Sequence, residues 1–467
     1  MGGAPRNFLS TLSFFSLLFS WTGAVRGDSA EEIRAEKESR PKETFEDRFW
    51  SHIKDIPAGP GILSFGGSLR VRYEFQNHYN RKTYGEDTED GFLLERFRLN
   101  MDYLIKKNLH AFVEFQDAHV WGSDFSVDDF GGKSPDENPF DLRQAFVEWR
   151  RICATPFGFK VGRQRIAYGD GRIWGPGEWG NVGRYFWDGV KVLYETGPVS
   201  IEGLFARRVR HESDCWDFDD RHYDFDAYGI YATLKKLPVL VDLFFAEKRG
   251  DSPRVCGSRQ VEKEERHTFG SRFDGEFLEN FDYGGTFAYQ FGEWGDDDIR
   301  AYGLNARLGY SFVFPWKPRI GVEFTYGSGD SDPNDGTHET FDSVFGSRDK
   351  LYGRMNILCW CNLEDYQAGL SVKPVENFTA KLDYHFFRLA EEKDSWYYSP
   401  SKGLRRDPTG SSGQDIGQEI DVTLKLRLSK RFDLIALFGL FFPGSFVKHT
   451  GPHKDAQWVA FQALYSF

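Results

Sequence analysis

The sequence predicts an all-β chain, a transmembrane antiparallel β-barrel of about 18 strands with short periplasmic turns and long extracellular loops. Three features point there. Apolar and polar residues alternate along most of the chain, the connections are short and long by turns, and the last strand ends on an aromatic residue.

The C-terminal stretch Gln457 to Phe467 shows the pattern in miniature. Val459, Phe461, Ala463, Tyr465 and Phe467 fall on one face, because successive side chains of a strand point to opposite sides. Ala460, Gln462 and Ser466 fall on the other, with Trp458 and Leu464 as exceptions. Such a strand suits a wall between lipid and a wetter interior.

At the other end, Met1 to Gly27 carries one basic residue near its start, Arg6, then an apolar run from Phe8 to Trp21, then the small residues Gly23, Ala24 and Gly27. This is the pattern of a secretory signal peptide, with an apolar core too short to span a bilayer as a helix. No cysteine lies near the cut, so a lipoprotein anchor is not expected. Residues 28–61 are highly charged and then rich in Pro and Gly, and are expected to form a periplasmic extension, part helix and part linker. The barrel is expected over 62–467.

Beyond the leader no apolar run is long enough for a membrane helix, and mean hydropathy is −0.54. That excludes a helical membrane protein but not a barrel, whose strands need only alternate. Aromatic residues make up 17% of the chain, with 45 Phe against 3 Met, which suits strands with aromatic girdles. A net charge of −12 argues against nucleic acid as a partner. Five cysteines leave at least one unpaired within the chain. Cys215 and Cys256 fall on adjacent expected outer loops and could pair. Cys359 and Cys361 are too close for an easy mutual bridge, and Cys153 stands alone.

Along the chain, Leu69, Val71, Tyr73 and Phe75 alternate with Arg70, Arg72, Glu74 and Gln76. Phe97, Leu99, Met101 and Tyr103 alternate with Arg96, Arg98, Asn100 and Asp102, and the same period returns at Ala380 to Phe386 and Val422 to Leu428. Short linkers fall near 106–108, 152–156, 196–198, 236–238, 275–280, 314–318, 374–377 and 429–431. Long Gly/Asp/Ser-rich stretches fall near 78–91, 121–139, 169–185, 209–224, 250–265, 293–299, 328–362, 391–414 and 443–456. Nine long loops joined by eight short turns give about 18 strands, and 352–360 is assigned to a loop because another strand would break the parity. A barrel of that size encloses an aqueous channel.

Strand phase turns Arg70, Arg72, Arg96, Arg98, Arg307, Arg319, Lys381, Lys425 and Arg427 to the lumen, with Glu74, Asp102, Glu114, Glu323 and Asp383 beside them. The densest stretch is Val161 to Val192, whose Gly-rich loop sets Arg163, Arg165, Arg172 and Arg184 against Asp170, Glu178 and Asp188. It is better suited to fold into the mouth than to wave in solvent. Arg163 and Arg165 share parity with the apolar Phe157, Phe159 and Val161, so a bulge or a rim position is needed for them to reach the channel. The expected pore-lining set is therefore Arg70, Arg72, Arg96, Arg98, Arg163, Arg165, Asp170, Arg172, Arg184, Asp188, Arg307, Lys381, Asp383, Lys425 and Arg427. Rings of Arg or Lys are the usual device of anion pores.

Other motifs carry less. Asp330, Asp332, Asn334 and Asp335 resemble a calcium loop, but Pro333 intervenes and Gly336 is one position late for an EF-hand. GGKS at Gly131 to Ser134 is not a P-loop, since Val127 stands where glycine is required. Lumenal His385 beside Asp383 reads as pore lining. Nothing sets a nucleophile and a base at usable spacing, so no enzyme, cofactor or metal is expected.

The run G-R-Q-x-x-x-Y-G-D-x-R from Gly162, followed by W-x-N-x-G-R-x-F and D-G, resembles the alginate export family of outer-membrane barrels. Gly327 to Phe341, Asn362 to Asp365, Leu382 to Glu391 with Asp394, Gly417 to Asp421 and Phe442 to Val447 are similar to that family's pattern in its order, so the likeness runs from about residue 64 to 467. Trp187 departs from it, standing between Phe186 and Asp188 where the family runs Phe-Asp-Gly. The resemblance implies passage of an anionic exopolysaccharide from periplasm to cell surface, and the arginines placed in the lumen by strand phase suit passive export of such a polymer; an uptake porin for small, anionic solutes on the same architecture is the alternative. The expected partners are outer-membrane lipid and lipopolysaccharide, the anionic polysaccharide, and periplasmic export or synthesis components, around a monomeric barrel.

Overall fold

A computed structural model describes residues 45–213, 223–250, 254–256, 259–261 and 263–467. Phe45–Ser51 is a short helix, within which the Ser51 hydroxyl donates to the Arg48 carbonyl at 2.7 Å. From Ile53 onward the chain forms a separate compact unit.

Eighteen strands pair with their neighbours in chain order. They are β1 (Gly61–Tyr79), β2 (Tyr84–Ile105), β3 (Leu109–Trp121), β4 (Asn138–Trp149), β5 (Phe157–Gln164) and β6 (Phe186–Glu195). Then come β7 (Val199–Val209), β8 (Tyr223–Leu234), β9 (Leu240–Gly250), β10 (Glu264–Phe277), β11 (Phe281–Trp294) and β12 (Asp297–Ser311). The set ends with β13 (Arg319–Gly327), β14 (Leu363–Val375), β15 (Phe378–Arg388), β16 (Asp415–Arg427), β17 (Phe432–Pro443) and β18 (Ala456–Ser466). Every neighbouring pair is antiparallel, and β18 closes on β1 with Phe461 opposite Tyr73 and Gln462 opposite Arg72. Closure leaves no open edge, which is what a sheet surrounded by hydrocarbon requires.

Polarity is inverted relative to a water-soluble sandwich. Phe97, Leu99, Met101, Leu304, Val322, Leu370 and Phe461 are exposed on the outer surface, while Arg72, Thr268, Gln290, Glu419 and Asp421 are buried within. Trp458 and Leu464, the exceptions in the C-terminal alternation, lie on the inner face, where the Trp458 indole donates to the Glu74 carboxylate at 3.1 Å.

One rim carries only short connections; the other carries the long ones, including 165–185, 328–362 and 389–414. Residues 352–360 lie in a loop. Two expected long loops are instead tight turns. β1 and β2 run up to Asn80–Thr83, where the Asn80 side chain accepts the Lys82 and Thr83 amides, and β11 meets β12 across Gly295 and Asp296. The acidic residues Glu86, Asp87, Glu89 and Asp298 read as loop in the sequence. They are tolerated in strands that project past the membrane, where both faces are wet. Residues Ile56–Ala58, expected in the N-terminal extension, pair with Gly61–Leu63 and so belong to the sheet. Cys153 is exposed and Cys359 is buried; a Cys215–Cys256 bridge lies outside the described residues.

Candidate functional site

The loop 165–185 folds inward and crosses the lumen. Its centre is Glu178, whose carboxylate is 2.8 Å from Arg143, 2.8 Å from Arg98, 3.9 Å from Arg96 and 3.7 Å from Arg165. Burial opposes ionisation of Glu178, but the guanidinium groups of Arg143, Arg98 and Arg96 outweigh it and hold the carboxyl well below the usual range. Around this ion cluster the backbone of the loop is gripped as well. Arg70 donates to the carbonyls of Trp179 and Gly180, each at 3.1 Å, and Arg72 donates to Trp179 at 2.8 Å while its guanidinium stacks 4.0 Å from the Trp179 ring. Asn181 is wholly buried; its side-chain oxygen accepts from Arg70 and its amide reaches the carbonyls of Glu95 and Asp136. Gly177 and Gly183 have φ of +65° and +94°, and a Cβ on Gly183 would stand 3.0 Å from the Arg143 guanidinium. The glycines let the loop turn sharply under the arginines.

Arg143 reaches this cluster through a β-bulge. The β3–β4 register shifts between Glu114–Gln144 and Phe115–Leu142, so Arg143 is the extra residue and turns inward beside Gln144.

On the far side of the lumen Arg172 binds Asp170 at 3.1 Å and also pairs with Glu323 on β13, while Asp170 lies 3.9 Å from Arg307. There the loop meets the segment 343–347. Gly175 donates its amide to the Phe345 carbonyl at 2.9 Å, Phe345 returns a bond to Ile173 at 3.1 Å, and the Trp174 and Phe345 rings lie 4.2 Å apart. The Trp179 amide also donates to the Asp349 carboxylate at 3.0 Å. The loop 389–414 is fastened to 328–362 by Asp394, which accepts from Thr340 Oγ1 at 2.6 Å, the Asp330 amide at 3.0 Å and the Tyr397 hydroxyl at 2.7 Å. Three loops thus form one interlocked constriction.

Toward the long-loop rim the constriction leaves a cavity of about 770 Å³, lined by ten Lys and Arg side chains but only five Asp and Glu. Arg81, Arg184, Arg208, Arg348 and Arg354 are among the cations, and Tyr79, Trp179, Tyr185, Trp294, Tyr398 and Trp458 supply aromatic wall. Arg348 lies over the Tyr398 ring, 4.1 Å from its centre. Burial disfavours tyrosinate, yet Arg348 and Arg81 prevail and lower the Tyr398 phenol to about 8.

The expected pore-lining residues distribute unevenly over this architecture. Arg70, Arg72, Arg96 and Arg98 turn inward, but the loop covers them, and Arg70, Arg72 and Arg96 are each at most 7% exposed. Arg165 lies just past the end of β5 and is half exposed beside Glu178. Arg184 lines the cavity and donates to the Gly346 carbonyl at 3.2 Å. Nearer the short-turn rim the cations have carboxylate partners: Arg307 with Asp274, Lys381 with Asp383 at 3.0 Å, and Lys425 and Arg427 sharing Asp433 at 2.8 and 3.2 Å. His385 is buried against Asp365 at 3.0 Å.

Arg163 and Asp188 are corrections. They pair with each other through two bonds of 2.9 and 3.0 Å in the outward phase of the exposed Val161 and Val190, because the β5–β6 register runs without a shift through Gln164, although the Arg163 side chain is itself largely covered. They begin a row of alternating sign that continues through Arg207, Asp226, Arg249 and Glu265 on successive strands. Since a charge at the bilayer midplane costs about 2–4 kcal/mol and little near the interface, this row marks the upper border of the hydrocarbon. Sequence reasoning missed Arg143, Arg348, Arg354 and Tyr398 as site residues. The bulge that turns Arg143 has no local signature, and the other three sit in loops whose inward course is set by tertiary packing.

A closed barrel of 18 strands with an apolar exterior, a polar lumen and an inward-folded loop defines an outer-membrane channel. Solved structures share the fold: Pseudomonas aeruginosa OpdQ (TM-score 0.58, 11% identity, covering 87% of this chain and 97% of that one) and P. aeruginosa OpdK with vanillate (TM-score 0.55, 11% identity, 86% and 98%). Acinetobacter baumannii OccAB4 is a third (TM-score 0.55, 10% identity, 87% and 98%). No curated protein matches the sequence. The family model for alginate export matches residues 62–461. The chain belongs to the alginate export family and is a bacterial outer-membrane β-barrel channel.

Proposed function

We propose that this channel exports an anionic polysaccharide of the polyuronate type, moved passively by synthesis behind it. The observation that carries this reading is the cation-rich cavity above the constriction, in which arginines stand among aromatic rings. Guanidinium groups match carboxylates in a forked, paired geometry, and aromatic faces suit the apolar faces of sugar rings. Two unit charges about 4 Å apart interact by about 4 kcal/mol at an effective dielectric of 20, against about 1 in bulk water. A narrowed passage therefore selects by sign where an open one does not.

Uptake of small carboxylates is the second reading. It draws support from the size of the cavity and from a fold shared with a channel solved with vanillate. Gene deletion separates the two. Export predicts loss of secreted acidic polymer, restored by the wild-type gene but not by Arg348→Glu/Arg354→Glu. Normal secretion combined with loss of growth on small carboxylates would overturn it in favour of uptake.

A further inference from the structure

The short-turn rim has its own charge pattern, separate from the constriction. Four of its turns carry two adjacent basic residues: Lys430 with Arg431 between β16 and β17, and, between β2 and β9, Lys106 with Lys107, Arg150 with Arg151, and Lys235 with Lys236. The six on the β2–β9 side are all exposed. Lys106, Lys107 and Arg151 have φ of 48°, 64° and 50°, so these turns tighten at the basic residues themselves. Arg150 and Lys235 reach Glu195 from either side, at 3.3 and 3.2 Å, and Arg150 also pairs with Glu148. Glu148 and Glu195 are in inward phase, alternating with the exposed Val147 and Val192, so the pairs lean over the inner edge of the mouth. Among the described residues no carboxylate forms an ion pair with Lys106, Arg151 or Lys236. The turns after β10 and β12 differ in exposing apolar side chains, Leu278, Val313, Phe314 and Trp316, and the exposed Lys317 there is paired with Glu376.

We infer that the basic arc of turns 106–108, 150–156 and 235–239 is the landing surface on which an anionic polymer is gathered at the periplasmic mouth. This rests on the export reading and adds a direction to it. Exposed cations at a mouth raise the local concentration of a polyanion and its encounter rate, and the effect fades as salt shortens the Debye length to about 10 Å at 0.1 M. Anionic phospholipid headgroups are the competing occupant, but Arg150 and Lys235 lean inward, toward the aqueous passage.

The experiment is block of single channels, inserted in known orientation, by a polymannuronate oligomer added to one side at a time. The wild type is expected to show a higher association rate from the short-turn side, falling steeply with salt. Lys106→Gln/Lys107→Gln/Arg151→Gln/Lys236→Gln is expected to lower that rate about tenfold. Association from the long-loop side is expected to stay the same, with unchanged conductance at high salt showing an intact barrel. Block from both sides with no difference between the variant and the wild type would overturn the landing surface while leaving export standing. An unchanged polymer rate with weakened binding to anionic vesicles would assign the arc to lipid. Absence of block from either side would overturn the export reading and this inference together.

Discussion

Glu178 is the residue on which the constriction turns, and it was visible in the sequence only as one acid among four arginines. Its guanidinium partners sit on β2 and β4, and no local signal pairs a loop carboxylate with strands many residues away. Glu178→Ala would leave Arg96, Arg98 and Arg143 without their counter-charge. Breaking a buried pair from one side costs about 3–5 kcal/mol, and because Glu178 keeps 29% of its surface exposed the cost here is expected at or below the lower end. The outcome should be a looser loop, read as faster proteolysis within 165–185 and as flickering conductance. Because the folded-state pKa of Glu178 is depressed, its contribution is present above the ordinary carboxylate pKa and is lost only as pH falls through the lowered value. The loop should therefore stay closed at about pH 4. Tyr398 supplies the opposite window. With its phenol lowered to about 8, an ultraviolet titration should show one tyrosine ionising there, absent in Tyr398→Phe and moved upward in Arg348→Ala. Tyrosinate adds a negative charge to the cavity, so anion preference should weaken as pH rises past 8.

At the scale of elements, strand existence and phase were the most legible part of the molecule. A wall with lipid on one side and water on the other imposes a two-residue period that needs no tertiary information, and Phe97, Leu99 and Met101 against Arg96, Arg98 and Asn100 obey it as written. The pattern gave out where that constraint ends. Above the membrane, polar stretches such as 84–91 are equally compatible with loop and with strand. Within the sheet, the bulge at Arg143 reverses the local phase without any glycine or proline to announce it. Arg163 shows the reverse: the plain strand phase was right, and the bulge needed to bring it inward does not exist. The inward course of 165–185 depends on Trp174 meeting Phe345 and on Asp349 meeting Trp179, contacts between segments more than 150 residues apart. Deleting residues 176–182 is expected to raise single-channel conductance several-fold while leaving the heat-resistant barrel intact on gels. Unchanged conductance would mean that another segment sets the narrowest point.

Across the whole barrel, hydrocarbon lies outside and water within, and the cavity beside the constriction carries an excess of fixed positive charge. The charge ladder from Arg163 to Glu265 fixes where the hydrocarbon stops on that side of the wall. In the lower lumen cations stand beside carboxylates, Lys381 with Asp383 and both Lys425 and Arg427 with Asp433, so on the export reading the sign of selection is set chiefly by the cavity above. This division was not readable from net charge, since −12 over the chain sums acidic outer segments with a cationic interior. The most direct test is the reversal potential of the purified channel in a planar bilayer under a potassium chloride gradient. Anion preference, diminished in Arg348→Ala/Arg354→Ala, is the predicted result. Cation preference indifferent to those substitutions, or a barrel that does not conduct, would contradict it.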